Sequence, residues 1–229
     1  MGISAAPALA TRSRSPTGWP RLAAPSTAEP FLPGGDLGRV GYIFAIPTFG
    51  PEQASCEVLT FREGLLSPLA HDLVLRVTAF EISVDPATLA VTARFDARSL
   101  RVETALRSGR VLPNGISAGD RRSIEATIVR DVLSAERFSE IRFASTQVTA
   151  RGDSFEVRGM LTLTGRTREV SAAVQRKADR LEAEVVLRQP DFGIRPYSAM
   201  LGAIRVKPEV LVRVSVPAIQ AHPARQHST

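Results

Sequence analysis

The residues able to do chemistry in this 229-residue chain are few: one cysteine, Cys56, and three histidines, His71, His222 and His227. A structural zinc site needs about four N/S ligands and a catalytic one about three protein ligands. Two of the histidines sit in a Pro/Ala/Gln tail, so the folded part cannot supply a Cys/His metal site. Cys56 has no second cysteine to pair with inside the chain. Hydrolysis fares no better, because Ser67 and Asp72 are mere sequence neighbours of His71 and no Gly-x-Ser-x-Gly elbow occurs. Neither Gly-x-Gly-x-x-Gly nor a phosphate-loop Gly-Lys-Ser/Thr is present, so no nucleotide cofactor is expected. Asp72, Asp96 and Asp191 are the carboxylates nearest strand ends, without a pairing signal.

What remains are groups suited to binding. His71 follows a helical-looking turn, Leu65 to Ala70, where it could hydrogen-bond a ligand headgroup or cap a turn. Arg101, Arg107, Arg110, Arg121 and Arg122 fall in or beside one long insertion. Guanidinium forks suit a pyrophosphate, and solvated loop charges look the same in sequence. Phe192 to Met200, with Tyr197, could be an adaptable lid or a loop packed under the sheet. Arg151-Gly152-Asp153 matches an adhesion tripeptide, and turn chemistry alone explains it.

Composition narrows the partners. Lys and Arg exceed Asp and Glu by 29 to 23, and 27 of the 29 are Arg. The excess is spread along the chain, whereas a nucleic-acid footprint needs it on one face or arm, so no nucleic-acid partner is expected. No stretch approaches the ~20 apolar residues of a membrane-spanning helix. Residues 1–50 hold seven of the 16 Pro and seven of the 16 Gly, with no apolar periodicity, and read as a disordered segment. Residues 51–217 form the folded domain and 218–229 a flexible tail. The start lacks the basic-then-apolar order of a signal peptide, so the expected compartment is the cytoplasm, with the periplasm as the alternative.

From Cys56 onward the apolar period is two, the signature of strands. Leu59 and Phe61 alternate with Thr60 and Arg62, Leu73/Leu75/Val77 with their neighbours, and Val91/Ala93/Phe95 likewise. Runs from Ile141, Phe155, Val170, Leu181 and Val210 repeat the pattern, giving about eight strands. The links Asp85–Thr88, Arg151–Asp153, Thr164–Thr167 and Lys177–Asp179 close hairpins and are too short for crossover helices, so the sheet is antiparallel. The apolar phase slips near Ala79, which signals a bulge or the end of one strand and the start of another. In the insertion, Ser117 with Asp120 opens a helix whose Ile124, Ile128 and Val132 form one stripe, predicting a helix laid over an opening or edge of the sheet. Small inward residues, Ala93, Gly159, Ala172 and Ala183, favour a hollow barrel, while a flattened sandwich with touching walls would use them too.

Four segments carry a family resemblance: Phe61–Leu73, Ile124–Phe143, Arg158–Gly165 and Gln189–Ile194. In composition and order they resemble the YceI-like family over residues 56 to 216, and specifically a branch that opens with Gly-Leu-Leu-Ser-Pro and lacks an export signal. The resemblance implies an all-β fold, an antiparallel eight-stranded lipocalin-like barrel with one helix in the long insertion. It further implies a polyisoprenoid or similar long apolar chain held in the lumen, with no catalysis and no cofactor. The residues expected to contact such a lipid-like ligand are Phe61, His71, Leu73, Leu75, Val77, Phe95, Phe143, Leu161, Leu163, Val185, Phe192 and Tyr197. The alternative is a stress-related interaction module with a side-chain-filled barrel, acting through protein contacts. An exposed strand edge could also pair two copies into a homodimer.

Overall fold

The computed structural model describes residues 46–63, 71–199, 201 and 204–219. Residues 1–45, 64–70, 200, 202, 203 and 220–229, and with them the turn expected over Leu65 to Ala70, lie outside the described residues. Among the described residues thirteen strands follow one another as β1 (Thr48–Phe49), β2 (Ser55–Glu63), β3 (Asp72–Val77), β4 (Phe80–Val84), β5 (Val91–Asp96), β6 (Leu100–Arg107), β7 (Arg110–Val111), β8 (Glu140–Arg151), β9 (Ser154–Leu163), β10 (Arg166–Lys177), β11 (Arg180–Arg188), β12 (Ser198–Ala199) and β13 (Ile204–Pro217). The α-helix α1 (Ala118–Thr127) runs into a π-helical turn at Ile128–Val132. The sheet therefore begins at Thr48, inside the segment expected to lack order.

All pairings are antiparallel, in the order β1-β4-β5-β8-β9-β10-β11-β13-β2-β3-β6-β7. Thirteen strands stand where about eight were expected: β1, β7 and β12 are two-residue additions, and a corner divides two of the long runs into four strands. Near Ala79 the chain ends β3 and starts β4, the second of the two arrangements the phase slip allowed. Thr78 N–H donates to Ser99 O (3.1 Å) and Asp96 N–H to Ala79 O (3.0 Å), so β3–β4 and β5–β6 bend together as two long strands. Setting aside the two-residue β1, β7 and β12, eight long runs remain, and the sheet curls round on itself through that bent pair.

The hairpins form where the turn residues permit positive φ. Thr164 (φ 47°) and Gly165 (φ 74°) join β9 to β10 with the handedness that matches strand twist. Gly152 (φ 61°) does the same between β8 and β9, where Arg151 also pairs with Glu156 (2.7 Å). Inside the curl sits an apolar cluster in which Leu75, Val77, Phe80, Ile82, Leu100 and Val102 are buried. Phe80 and Phe95, Cα partners across β4 and β5, pack with their rings tilted by 36° and 5.9 Å between centroids.

The expected phase of β2 is overturned. Thr60 pairs with Leu73 and Val58 with Leu75, so Cys56, Val58, Thr60 and Arg62 face inward, while Leu59 and Phe61 face out. Two apolar phases compete in Cys56–Phe61, and the outer one is satisfied by neighbours: Leu59 pairs with Val74 and Leu211. Buried on its outer side, Leu59 gives no one-faced alternation to read.

Helix α1 is fastened over the sheet as its sequence predicts. Ser117 Oγ accepts from Asp120 N–H (3.1 Å) to cap the first turn. Glu125 Oε1 accepts the Val102 N–H (2.8 Å), and the Arg121 guanidinium donates to the carbonyls of Val102 and Glu103. With these bonds the helix satisfies backbone groups of β6 while its Ile124, Ile128 and Val132 turn toward the sheet interior.

Candidate functional site: a cavity inside the curled sheet

The inward faces of the strands and the apolar stripe of α1 enclose a cavity of about 920 Å³. Strand register explains why the wall is so uniform. On β13, Val210, Val212, Val214 and Val216 pair with Leu187, Val185, Ala183 and Leu181 of β11, all facing the same space. Period-two alternation thus becomes a largely aliphatic lining, with most polar and charged residues of these strands turned to solvent.

Ten of the twelve residues expected from sequence line this cavity: His71, Leu73, Leu75, Val77, Phe95, Phe143, Leu161, Leu163, Val185 and Tyr197. The other two do not. Phe61 follows the outward phase of β2, and Phe192 is buried in a 3-10 turn, Gln189–Phe192, where its carbonyl accepts the Thr164 hydroxyl (2.5 Å). The Phe192 segment is thus packed structure, while Tyr197, 45% exposed, stands at the cavity's rim.

His71 Nε2 lies 3.2 Å from Arg107 Nη2. Guanidinium nitrogens only donate, so in this contact the His71 ring nitrogen is the acceptor. The other insertion arginines do not converge on an anion site: Arg101 donates to the carbonyls of Arg98 and Leu100, and Arg121 serves β6. The three carboxylates also have local duties. Asp72 Oδ1 accepts the Arg62 N–H (2.9 Å), Asp96 Oδ1 caps the turn at Arg98 (2.8 Å), and Asp191 pairs with Arg188 (3.3 Å).

Four features escaped the sequence. The small-residue signal split: Ala93, Ala172 and Ala183 line open space, whereas the position beyond Gly159 is filled by the Phe143 ring and Ala144 O. The β13 valine ladder and the α1 isoleucines join the wall, and their spacing alone could have placed them there. Arg62, which the alternation of β2 had turned outward, also lines it, as do Arg176 and Arg205. Cys56, too, lies in the wall, where burial pushes its thiol up to about 12. No described helix is long and apolar enough to cross a membrane.

A sequence profile for the YceI-like domain matches residues 70–218. No curated protein matches the chain significantly. Among solved structures the chain is similar to BcnA of Burkholderia cenocepacia, at 14% identity and a TM-score of 0.51, covering 72% of this chain and 96% of that one. It is also similar to the YCEI protein of Campylobacter jejuni, at 11% identity and a TM-score of 0.41, with 83% and 97% covered. A mutant of that Campylobacter protein, crystallised with a monobromobimane guest, gives 10% identity, a TM-score of 0.41 and coverage of 81% and 90%. With the profile spanning most of the chain and the curled antiparallel sheet beneath it, the protein belongs to the YceI-like family.

Proposed function

We propose that this protein holds one lipid-like amphiphile, an isoprenoid or fatty-acyl chain, inside the curled sheet for transport, storage or sequestration, and performs no chemistry on it. The observation that carries this is the cavity itself, about 920 Å³ behind an aliphatic wall. That size falls in the range of ligand pockets and is far above the ~30 Å³ a water molecule occupies, which argues against a side-chain-filled barrel. Each Å² of apolar ligand surface removed from water there contributes about 25 cal/mol. An aliphatic wall offers a chain little else, so affinity should follow chain length.

Native mass spectrometry of the protein purified from its own host, followed by organic extraction, tests the proposal. A stoichiometric adduct of isoprenoid or acyl mass is expected. An apo mass that stays clean after incubation with polyprenols and fatty acids would overturn it and return attention to protein partners.

A further inference from the structure

The charges in the cavity wall are lopsided. Three arginines, Arg62, Arg176 and Arg205, face a single carboxylate, Asp120. That carboxylate is engaged at the start of α1, with Ser117 Oγ 2.7 Å from Asp120 Oδ2. A low-dielectric aliphatic wall focuses the field of whatever charge it carries, so the surplus selects the sign of the ligand's polar end.

The three arginines are not equivalent. Arg62 lies 4.0 Å from Asp72, and Arg205 lies 3.8 Å from Glu63. Both belong to one end of the cavity, where Val206 of β13 pairs with Arg62. Arg176 belongs to the other: it pairs with Leu181, which pairs with Val216. Ten residues of β13 separate the two levels, two of them taken up by the bulge between Val206 and Val210, which leaves about 26 Å at ~3.3 Å per residue. Among the described residues the Arg176 side chain makes no hydrogen bond and no ion pair. Asp153, next along the β9–β10 ladder, and Asp179, in the following turn, make none with it. Its neighbour Lys177 points outward to Glu182 (2.7 Å).

Resting on the binding proposed above, we infer that the ligand is anionic, a carboxylate or phosphate amphiphile, and that its charged end sits on Arg176. The guanidinium fork takes either anion in two parallel hydrogen bonds. Because Arg176 is exposed at the rim, the anion keeps part of its water and little desolvation opposes the contact. From there the chain runs inward past Val174, Ala172 and Val214. At the other end, Asp72 and Glu63 already neutralise their arginines.

The test is a binding titration of the full chain with palmitate and with hexadecanol, and in parallel with geranylgeranyl diphosphate and geranylgeraniol. The wild type should prefer the anion of a pair by about tenfold, the change that 1.4 kcal/mol makes. R176Q should abolish that preference by bringing the anion's affinity down to that of the alcohol, and R176E should weaken the anion further. K177Q, which removes a charge from the same strand end without facing the cavity, should keep the preference. Equal affinities in the wild type, or a preference that survives R176Q, would overturn the inference while leaving the binding proposal standing. Loss of the preference in R62Q but not R176Q would put the anion at the other end and equally overturn it. Failure to bind either member of both pairs would refute the binding proposal itself and the inference with it.

Discussion

Gly159→Ala should destabilise the fold although it adds only one methyl group. A Cβ built there lies 2.4 Å from Ala144 O and 2.5 and 2.6 Å from the Phe143 ring, closer than real Cβ atoms come. The ring can swing into the cavity, but the carbonyl cannot move without shifting the β8 backbone, where the register with β9 already slips between Ser145 and Gln147. Overpacking of this kind costs about 1–3 kcal/mol. In a domain of this size each kcal/mol lowers Tm by roughly 2–4 °C, so a drop of about 4–8 °C is expected for a cost of ~2 kcal/mol. Circular dichroism melts of Gly159→Ala, Phe143→Leu and the double variant measure it. If the carbonyl dominates, Phe143→Leu recovers little of the loss, and if the ring dominates it recovers most. A Gly159→Ala melt within 1 °C of wild type would refute the packing argument, and with it the claim that Phe143 closes the wall where the glycine stands.

Other perturbations separate the wall from its supports. Ala183→Phe places a ring in open space between Val174 and Val214, so ligand uptake by native mass spectrometry should fall at least tenfold while Tm stays level or rises. Glu125→Ala removes the acceptor of the Val102 N–H, and hydrogen–deuterium exchange should show faster exchange at Val102 and through residues 118–132, for a cost of about 1–2 kcal/mol. Cys56, its thiol raised to about 12 by burial, should resist iodoacetamide at pH 8 in the native state and react once the chain is unfolded. Because the folded thiol stays protonated where the unfolded one ionises, its contribution is complete below pH 9 and is lost as pH rises from 9 toward 12. Urea midpoints of wild type and Cys56→Ala should therefore converge or cross in that window.

Strands and turns were legible because each is local: alternation from Leu73 to Val77 needs only the polarity of neighbours, and Thr164-Gly165 needs only residues that tolerate positive φ. The helix was legible for the same reason, from Ser117 and the Ile124/Ile128/Val132 stripe. What stayed hidden depends on partners distant in sequence. The facing of Leu59 is decided by Val74 and Leu211, and the corner at Ala79 by bonds to Asp96 and Ser99. Gly159 resembled the lumen alanines because nothing in its own strand reveals that Phe143 lies over it. Arg176 carries the same lesson at the site: a charge at a strand end is read as solvated until register shows that it continues the inward series of Val170, Ala172 and Val174.

The most direct test of the central claim is where a bound chain lies. A crystal of the protein loaded with a terminally brominated C16 fatty acid, measured at the bromine edge, locates the chain end by anomalous scattering. The bromine should lie inside the curled sheet, among Phe143, Leu161 and Val212. Bromine found only on the outer surface, with the cavity empty, would contradict the account.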